Sequence, residues 1–475
     1  MEVILIEPVQ SGVHVFLRYT LPRLGLPLLG ALARRELGIT PRIFFDQYEN
    51  LDWEAIRRAD LVGISTITPT APDAYRVLER VKRLGDIPVV MGGPHVTFLP
   101  EEALGKGADF VVRGEGELAF IELLRHLRGE GIALESIRGI SYREGGRFLH
   151  NPEGERISDL STLPWPDLGL IEGHQRLRIL PVMTSRGCPY RCKFCSVTSI
   201  FGHRYRFRDT DDVMAELEHL HQAWPRSTVF FYDDNFTANA ERTKELLREM
   251  KRRGLPPRWT AQVRVEVVRD PELMRLMKET RCIYLYLGLE SVNPATLESY
   301  HKSQTVEDIA EAVRVLHKHK ISVHGMFVLG SDEDDVATLK QTVRFAKRAR
   351  IDTVQFLALV PLPGTETYRE LEEQGRITDR DWGKYDGHHV VFQPAKMAQH
   401  VLQKRGAYGG MRSFYSWWEV TKLGLRFQWR SMVVRIFAHL AIRRWKSDNA
   451  EWLRELKEQY KLLKKQLKQD GRTTA

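Results

Sequence analysis

The chain has 475 residues, 43% hydrophobic and 28% charged, an ordinary globular composition with room for two or three domains. Residues 411–475 hold fifteen Lys/Arg and six Asp/Glu, which accounts for the whole net charge of +9, so the pI gives no support to nucleic-acid binding by the rest. Only four cysteines, no signal-peptide pattern and no run of about 18 apolar residues speak against a disulfide framework and a membrane span, and the expected location is the cytoplasm.

Residues 1–150 alternate short apolar runs with amphipathic segments. The runs Val3–Ile6, Arg42–Phe45, Leu61–Ser65, Pro88–Met91 and Asp109–Val112 predict strands, and Ala71–Arg83 and Glu117–Arg128 predict helices. This is the pattern of a doubly wound, Rossmann-like α/β domain. Small residues follow the strands at Ser65-Thr66, Gly92-Gly93 and Gly114-Glu115, where such folds bind ligands and where glycine lets a bulky group approach the backbone. Glycines also simply end strands, but three such loops on one edge favour a ligand site. Ser141–His150 predicts a hairpin around Glu144-Gly145-Gly146, and residues 151–175 read as a linker.

A second alternation fills residues 176–375. Its strands are expected at Ile179–Thr184, Thr228–Tyr232, Trp259–Val263, Ile283–Leu287, Val323–Leu329 and Thr353–Leu359, with helices such as Asp211–His221, Asn239–Arg253 and Val306–His319 between them. Six βα units in about 200 residues predict a partial (β/α)6 TIM-like barrel, with its chemistry at the C-terminal strand ends. Residues 376–475 read as a mainly helical basic and aromatic region after a loop containing His388 and His389.

Directly after the first barrel strand, Cys188, Cys192 and Cys195 sit within eight positions. Structural zinc sites usually pair two separated knuckles, and no second knuckle is present; Cys282 lies in a strand run, where a buried free thiol is commoner. Three thiolates on one loop suit an iron–sulfur cluster with one iron left open. With Phe194, these cysteines resemble the Cys-x-x-x-Cys-x-aromatic-Cys signature of the radical S-adenosylmethionine (SAM) superfamily. The resemblance implies a [4Fe–4S] cluster whose open iron chelates SAM. Its reductive cleavage, fed by a donor such as flavodoxin or ferredoxin, gives a 5′-deoxyadenosyl radical that takes hydrogen from a substrate.

Further SAM contacts follow from the resemblance and the strand ends. Where the superfamily often carries Gly-Gly-Glu, this chain has Tyr232-Asp233-Asp234-Asn235; Asp233, Asp234 or Asn235 could accept from the SAM ammonium, and Asn235 or Thr237 could equally cap the next helix. Gln262 and Arg264 end the third strand, Arg264 placed to meet a carboxylate. Glu290 and Ser291 resemble the ribose-binding position, and Gly325–Gly330 the adenine motif.

Joined to such a barrel, the first domain resembles the cobalamin (B12)-binding domain of B12-dependent radical SAM enzymes, through Val62–Ser65, Gly92–His95 and Arg113–Glu117. The resemblance implies cobalamin near Ser65, Thr66, Gly92, Gly93, Gly114 and Glu115. None of the sixteen histidines stands in Asp-x-His-x-x-Gly, so no protein histidine is expected on cobalt. A NAD-binding reading fails because Gly-x-Gly-x-x-Gly is missing after the first strand.

The resemblance implies methylation of an unactivated carbon through methylcobalamin. An alternative ends in cyclisation, oxidation or rearrangement without methyl transfer; the subgroup includes an anaerobic cyclase of chlorophyll synthesis, and Trp382–Pro394 resembles stretches of that broader group. A B12 sensor or zinc scaffold would have no use for an open cluster corner. The expected substrate is a small molecule, an isoprenoid or lipid intermediate if the tail meets a membrane, and in the alternative reading an isoprenoid, lipid or tetrapyrrole-like one. Phe414 to Trp452 mixes aromatic residues with Arg426, Arg430, Arg435, Arg443 and Arg444, a pattern that suits peripheral contact with an anionic inner-membrane surface or packing on the barrel. His388 and His389 beside Asp386 are weak catalytic candidates on a loop expected to close the open side of the barrel.

Overall fold

The computed structural model describes residues 1–9, 21–45, 48, 50–256 and 258–469, without the side chains of residues 430, 463 and 466–469. Arg430 of the basic stretch therefore has no described side chain. The chain divides into two compact units. Of the described residues, the first comprises those within 1–9, 21–190 and 196–234, and the second those within 191–195 and 235–469. These limits differ from the expected domains of 1–150, 176–375 and 376–475. The first two barrel strands group with the N-terminal residues, and the C-terminal helices group with the later strands.

The first unit holds a seven-stranded sheet of β1 (Val3–Glu7), β2 (Arg42–Phe45), β3 (Leu61–Ser65), β4 (Val89–Gly92), β5 (Phe110–Val112), β6 (Ile140–Glu144) and β7 (Arg147–His150). Its order is β2-β1-β3-β4-β5-β6-β7. The first five are parallel, and β6 and β7 join antiparallel at one edge. β1 is buried throughout and β3 nearly so, which is why both read as continuous apolar runs rather than alternations. Gly145 and Gly146 both take positive φ, 54° and 80°, the two-residue turn that matches strand twist in a tight hairpin. The unit also contains β8 (Ile179–Val182) and, in sequence between it and its parallel partner, the short antiparallel pair β9 (Ser185–Arg186) and β10 (Arg206–Phe207). That partner is β11 (Thr228–Phe231).

The second unit holds β12 (Trp259–Val263), β13 (Cys282–Glu290), β14 (Ser322–Leu329) and β15 (Thr353–Ala358), all parallel and in the order β15-β14-β13-β12. Helices Pro271–Glu279, Val306–Lys318 and Val336–Arg348 fill the crossovers. Leu285, Leu287, Leu289, Val323, Phe327 and Leu329 form the fully buried face of β13 and β14. The registers put Gln262, Tyr286 and His324, and likewise Gly288, Met326 and Gln355, on the opposite face. With β8 and β11, these are the six parallel strands of a (β/α)6 barrel in the order the sequence predicts.

The region after Arg376 is mainly helical, with helices Tyr408–Phe414, Trp417–Leu425, Trp429–Asp448 and Ala450–Gln469. It packs on β15. The Tyr415 hydroxyl accepts from the Val354 amide at 2.8 Å and donates to the Val354 carbonyl at 2.9 Å, satisfying backbone that an edge strand would leave bare. No helix among the described residues is long and apolar enough to cross a membrane.

Candidate active site

In the first unit, a cavity of about 390 Å³ opens at the C-terminal ends of β1, β3, β4 and β5. Of the residues expected near cobalamin, Ser65, Gly92, Gly93, Gly114 and Glu115 line it and Thr66 does not. Thr66 is buried and donates its hydroxyl to the Gly92 carbonyl at 3.0 Å, fixing the loop from behind. Gly93 cannot carry a side chain: its φ is +102°, and a Cβ would come within 2.4 Å of the Thr66 carbonyl oxygen. The residues just before and just after the cysteine motif, Ser185, Arg186, Ser196 and Val197, line the same cavity.

Glu115 is held by the protein itself. It pairs with Arg206 and, at 3.4 Å, with Arg186, whose guanidinium also meets Glu117 at 2.5 Å. All four side chains are under a tenth exposed, so this network fixes the loops on either side of the cavity rather than leaving a free carboxylate.

The three acidic-segment candidates separate. Asp233 is 1% exposed and accepts from the Thr184 amide and hydroxyl, both at 3.1 Å, and from the Ser185 hydroxyl. It fixes the start of the cysteine loop. Asp234 lines the cavity, and burial, reinforced by the Asp233 charge, pushes its carboxyl up to about 7. Asn235, in the second unit, is buried, and its carbonyl accepts from the Ala238 amide at 3.1 Å.

None of the three cysteines of the motif forms a disulfide, and all are half-buried. In the second unit, the Cys195 amide donates to the Cys192 carbonyl at 3.0 Å, closing a tight turn, and Phe194 packs edge-on against Tyr300 at 4.8 Å between centroids. The loop is tied down by Lys193, which pairs with Glu370 at 2.9 Å. Burial raises the Cys192 thiol, while the cations Lys302 and Arg264 pull it back toward thiolate. Cys282 opens β13, eight residues below Glu290, which puts it about 25 Å from that strand end. It is buried, and its thiol is pushed well up by burial, which is the behaviour of a core thiol.

Of the expected strand-end residues, Arg264 and Glu290 lie close enough to Cys192 for their charges to act on its thiol. Arg264 is buried and forks onto Glu266 at 2.8 Å, so its carboxylate partner is at present internal. Glu290 has φ +58° and pairs with the buried Lys302 at 2.8 Å; Gly288 leaves room for both, since a Cβ there would meet the Glu290 carboxylate at 2.6 Å. The Ser291 hydroxyl accepts from the Asn293 amide at 3.0 Å, and Gln262 is half-buried on the inner strand face. At Gly330 φ is +104°, and a Cβ would strike Leu402 at 2.6 Å; its amide donates to the buried Asp334 at 2.9 Å. That glycine is explained by close packing.

Sequence reasoning missed Lys302 and Glu266, and also an aromatic group on the inner face. Tyr284 and Tyr286 lie 5.4 Å apart, and Tyr286 lies 5.1 Å from His324. Their signal was the alternation within Cys-Ile-Tyr-Leu-Tyr-Leu, which places both tyrosines on one face.

His388 and His389 sit under the C-terminal helices. His389 Nδ1 meets Asp386 at 3.0 Å and its Nε2 meets Asn449 at 2.8 Å, while Trp445 and Trp452 pack against the ring at 5.2 and 4.7 Å. Both histidines are 6% exposed. The contacts join the loop to the last two helices.

Comparison with known proteins agrees with this geometry. Residues 182–346 match the radical SAM superfamily, and residues 17–124 match the B12 binding domain. An uncharacterized methyltransferase of Pyrococcus horikoshii is 34% identical over 419 residues, 85% of this chain and 90% of the relative. The chain belongs to the cobalamin-dependent radical SAM enzymes. Within this family it also resembles the bacteriochlorophyllide d C-12(1)-methyltransferase of Chlorobaculum tepidum, 31% identical over 72% of each chain. An anaerobic magnesium-protoporphyrin IX monomethyl ester cyclase of Cereibacter sphaeroides is 28% identical over 78% of this chain and 61% of the relative. Among solved structures, the cobalamin-dependent SAM radical enzyme OxsB with aqua-cobalamin bound shares the fold, with TM-score 0.71 and 16% identity over 92% of this chain and 72% of that one.

The residues present fit the family's cofactors. Three half-buried thiols on one short loop are the donor set of an open-cornered iron–sulfur cluster. Gly92, Gly93, Gly114 and Gly116 line the cavity and leave room for a bulky group, and its lining among the described residues includes no imidazole.

Proposed function

We propose that this enzyme methylates an unactivated carbon of an apolar small molecule. The observation that carries the reading is the wall of the first unit's cavity, which joins the Gly92-Gly93 and Gly114–Gly116 loops to the residues flanking the cysteine motif on both sides. When bound, the cluster with SAM would supply radical chemistry and cobalamin the methyl group to be transferred. The chain's own share is placement. Cys188, Cys192 and Cys195 hold the cluster, while Arg264, Gln262, Glu290, Ser291 and either Asp234 or Asn235 are the assigned SAM contacts. Arg264 would exchange Glu266 for the SAM carboxylate, a charge-for-charge swap with little desolvation cost. Burial raises the Asp234 carboxyl to about 7, so near neutral pH it can donate to the cavity as the acid or accept from an ammonium as the carboxylate. Tyr284, Tyr286, Met326, Val328 and Leu357 put apolar and aromatic surface on the inner strand face beside the polar Gln262, His324 and Gln355, a mixture that suits a largely apolar substrate with a few polar groups.

Similarity to the two methyltransferases supports methyl transfer. Similarity to the cyclase favours a second reading, oxidative ring closure without methyl transfer. Anaerobic turnover with a reducing donor such as flavodoxin, trapping both SAM products, separates them. S-adenosylhomocysteine accumulating with 5′-deoxyadenosine is the expected result; 5′-deoxyadenosine alone sinks methylation. We further propose that the C-terminal helices rest on the inner membrane surface, where an apolar substrate would be met.

A further inference from the structure

The second unit contains a cavity of about 360 Å³ that has no part in the chemistry described above. It lies where Lys320–Ser322 and Arg350–Asp352 lead into β14 and β15, the N-terminal ends of those strands, whereas barrel chemistry belongs to the C-terminal ends. Six cations line it: Lys320, Lys347, Arg350, Lys422, Arg426 and Arg435. Only two carboxylates oppose them, and both are engaged. Asp352 meets His317 and the Val323 amide, each at 2.9 Å; Glu419 meets Lys422 at 3.1 Å and Lys347 at 3.6 Å. Six cations against two carboxylates leave a surplus of four.

The helices ending at Lys318 and Arg348 point their C-termini here and together offset roughly one unit of that charge. About three units remain uncompensated. Among the described residues Lys320, Arg350 and Arg426 form no ion pair. Lys320 and Arg350 also hold left-handed backbone, φ 62° and 56°, at helix ends where glycine or asparagine is the easy choice. Charge occupies both positions in spite of the backbone. Arg435, 6% exposed, is fixed in the wall by the carbonyls of Ile351 and Asp352 at 2.8 and 3.1 Å.

Beside the cations, the turn between helices Trp417–Leu425 and Trp429–Asp448 bares a set of large apolar side chains. Trp418, Leu425, Phe427 and Trp429 are 68, 80, 79 and 57% exposed, and they flank Lys422 and Arg426 in sequence. An apolar prominence of this size marks an interaction surface, and aromatic residues beside uncompensated cations match the boundary between lipid headgroups and acyl chains.

We propose that this cavity and turn form a docking site for an anionic phospholipid surface: the headgroup phosphate seats among Lys320, Arg350 and Arg426, and Leu425, Phe427 and Trp429 enter the interface. The inference extends the membrane contact proposed above and is independent of the reaction catalysed. The test is flotation of the full reconstituted enzyme with phosphatidylcholine vesicles, with and without phosphatidylglycerol. It is applied to the natural chain, to a K320A/R350A/R426A variant and to an L425S/F427S/W429S variant, each checked for unchanged cobalamin content and SAM cleavage. The natural chain should float only with phosphatidylglycerol, and each triple variant should lose at least about tenfold in partitioning. Flotation indifferent to the cation variant keeps the membrane contact and overturns the cavity assignment. No flotation of the natural chain overturns both. Calorimetric binding of pyrophosphate without vesicle binding assigns the cavity to a soluble phosphate instead and overturns the lipid proposal.

Discussion

The ammonium of Lys302 lies 2.8 Å from the carboxylate of Glu290, and each side chain is only 8% exposed. Glu290 ends β13 in left-handed backbone, and Gln304, two residues beyond Lys302, donates to the Leu289 carbonyl at 2.9 Å. The pair thus fixes the rim that carries the assigned ribose contact. Removing one member of a buried pair costs about 3–5 kcal/mol because the other charge stays buried. Lys302→Met should lower stability by that order in chemical denaturation and weaken SAM binding, measured by calorimetry on the reconstituted enzyme. A variant with natural stability and SAM affinity would show that the pair does not organise the rim.

Asp234 predicts a pH dependence. Its folded-state value near 7 stands above the ordinary carboxylate range, so the folded chain holds a proton that the unfolded chain releases. The sign is therefore that stability falls as pH rises from about 4 to about 7, by up to about 4 kcal/mol for a shift of this size. Above that window the loss is complete. Asp234→Asn should flatten the profile in denaturant titrations of the cofactor-free chain and leave it the more stable one at pH 8. Identical profiles for the two chains would remove Asp234 as the source.

Gly93 combines positive φ with a backbone neighbour that cannot yield. Gly93→Ala places a methyl against the Thr66 carbonyl, so the β4 loop must shift. The expected result is loss of cobalamin after gel filtration, read from its visible absorption, with far-ultraviolet circular dichroism near natural. Gly107→Ala is the control: its φ is also positive, +107°, but open space surrounds it, and cobalamin should be retained.

The strands were legible because parallel strands buried on both faces read as apolar runs, so β1, β3 and β12 fall within a residue or so of expectation. β13 runs to Glu290 rather than stopping at Leu287. Its last residues are a glycine and a charge, which propensity ends early and the Lys302 pair retains. Lys302 itself was not legible: a lysine in a polar stretch looks solvated, and only the fold shows it buried. Glu115 was legible as a loop residue at the cavity but not as the partner of Arg206, ninety-one positions away. The two-unit division was hidden for a similar reason, since the contacts that group β8 and β11 with the N-terminal residues leave no periodicity in the sequence.

His389 bridges Asp386 and Asn449 and packs between two tryptophans, contacts that charge the ring while burial opposes it; the balance raises its pKa. Asp386 is correspondingly held below the usual carboxylate range. For His389 the added stability is fully present below about pH 6.5 and is lost as pH rises through the higher folded value; for Asp386 it is present above about pH 4 and lost as pH falls. His389→Ala should therefore loosen the helices Trp429–Asp448 and Ala450–Gln469, seen as faster amide exchange there, at a cost of about 1–3 kcal/mol for the partners left unpaired. SAM cleavage by the folded variant should persist, since every described contact of the ring is structural. Loss of cleavage with natural exchange rates in those helices would move His389 from the scaffold into the chemistry.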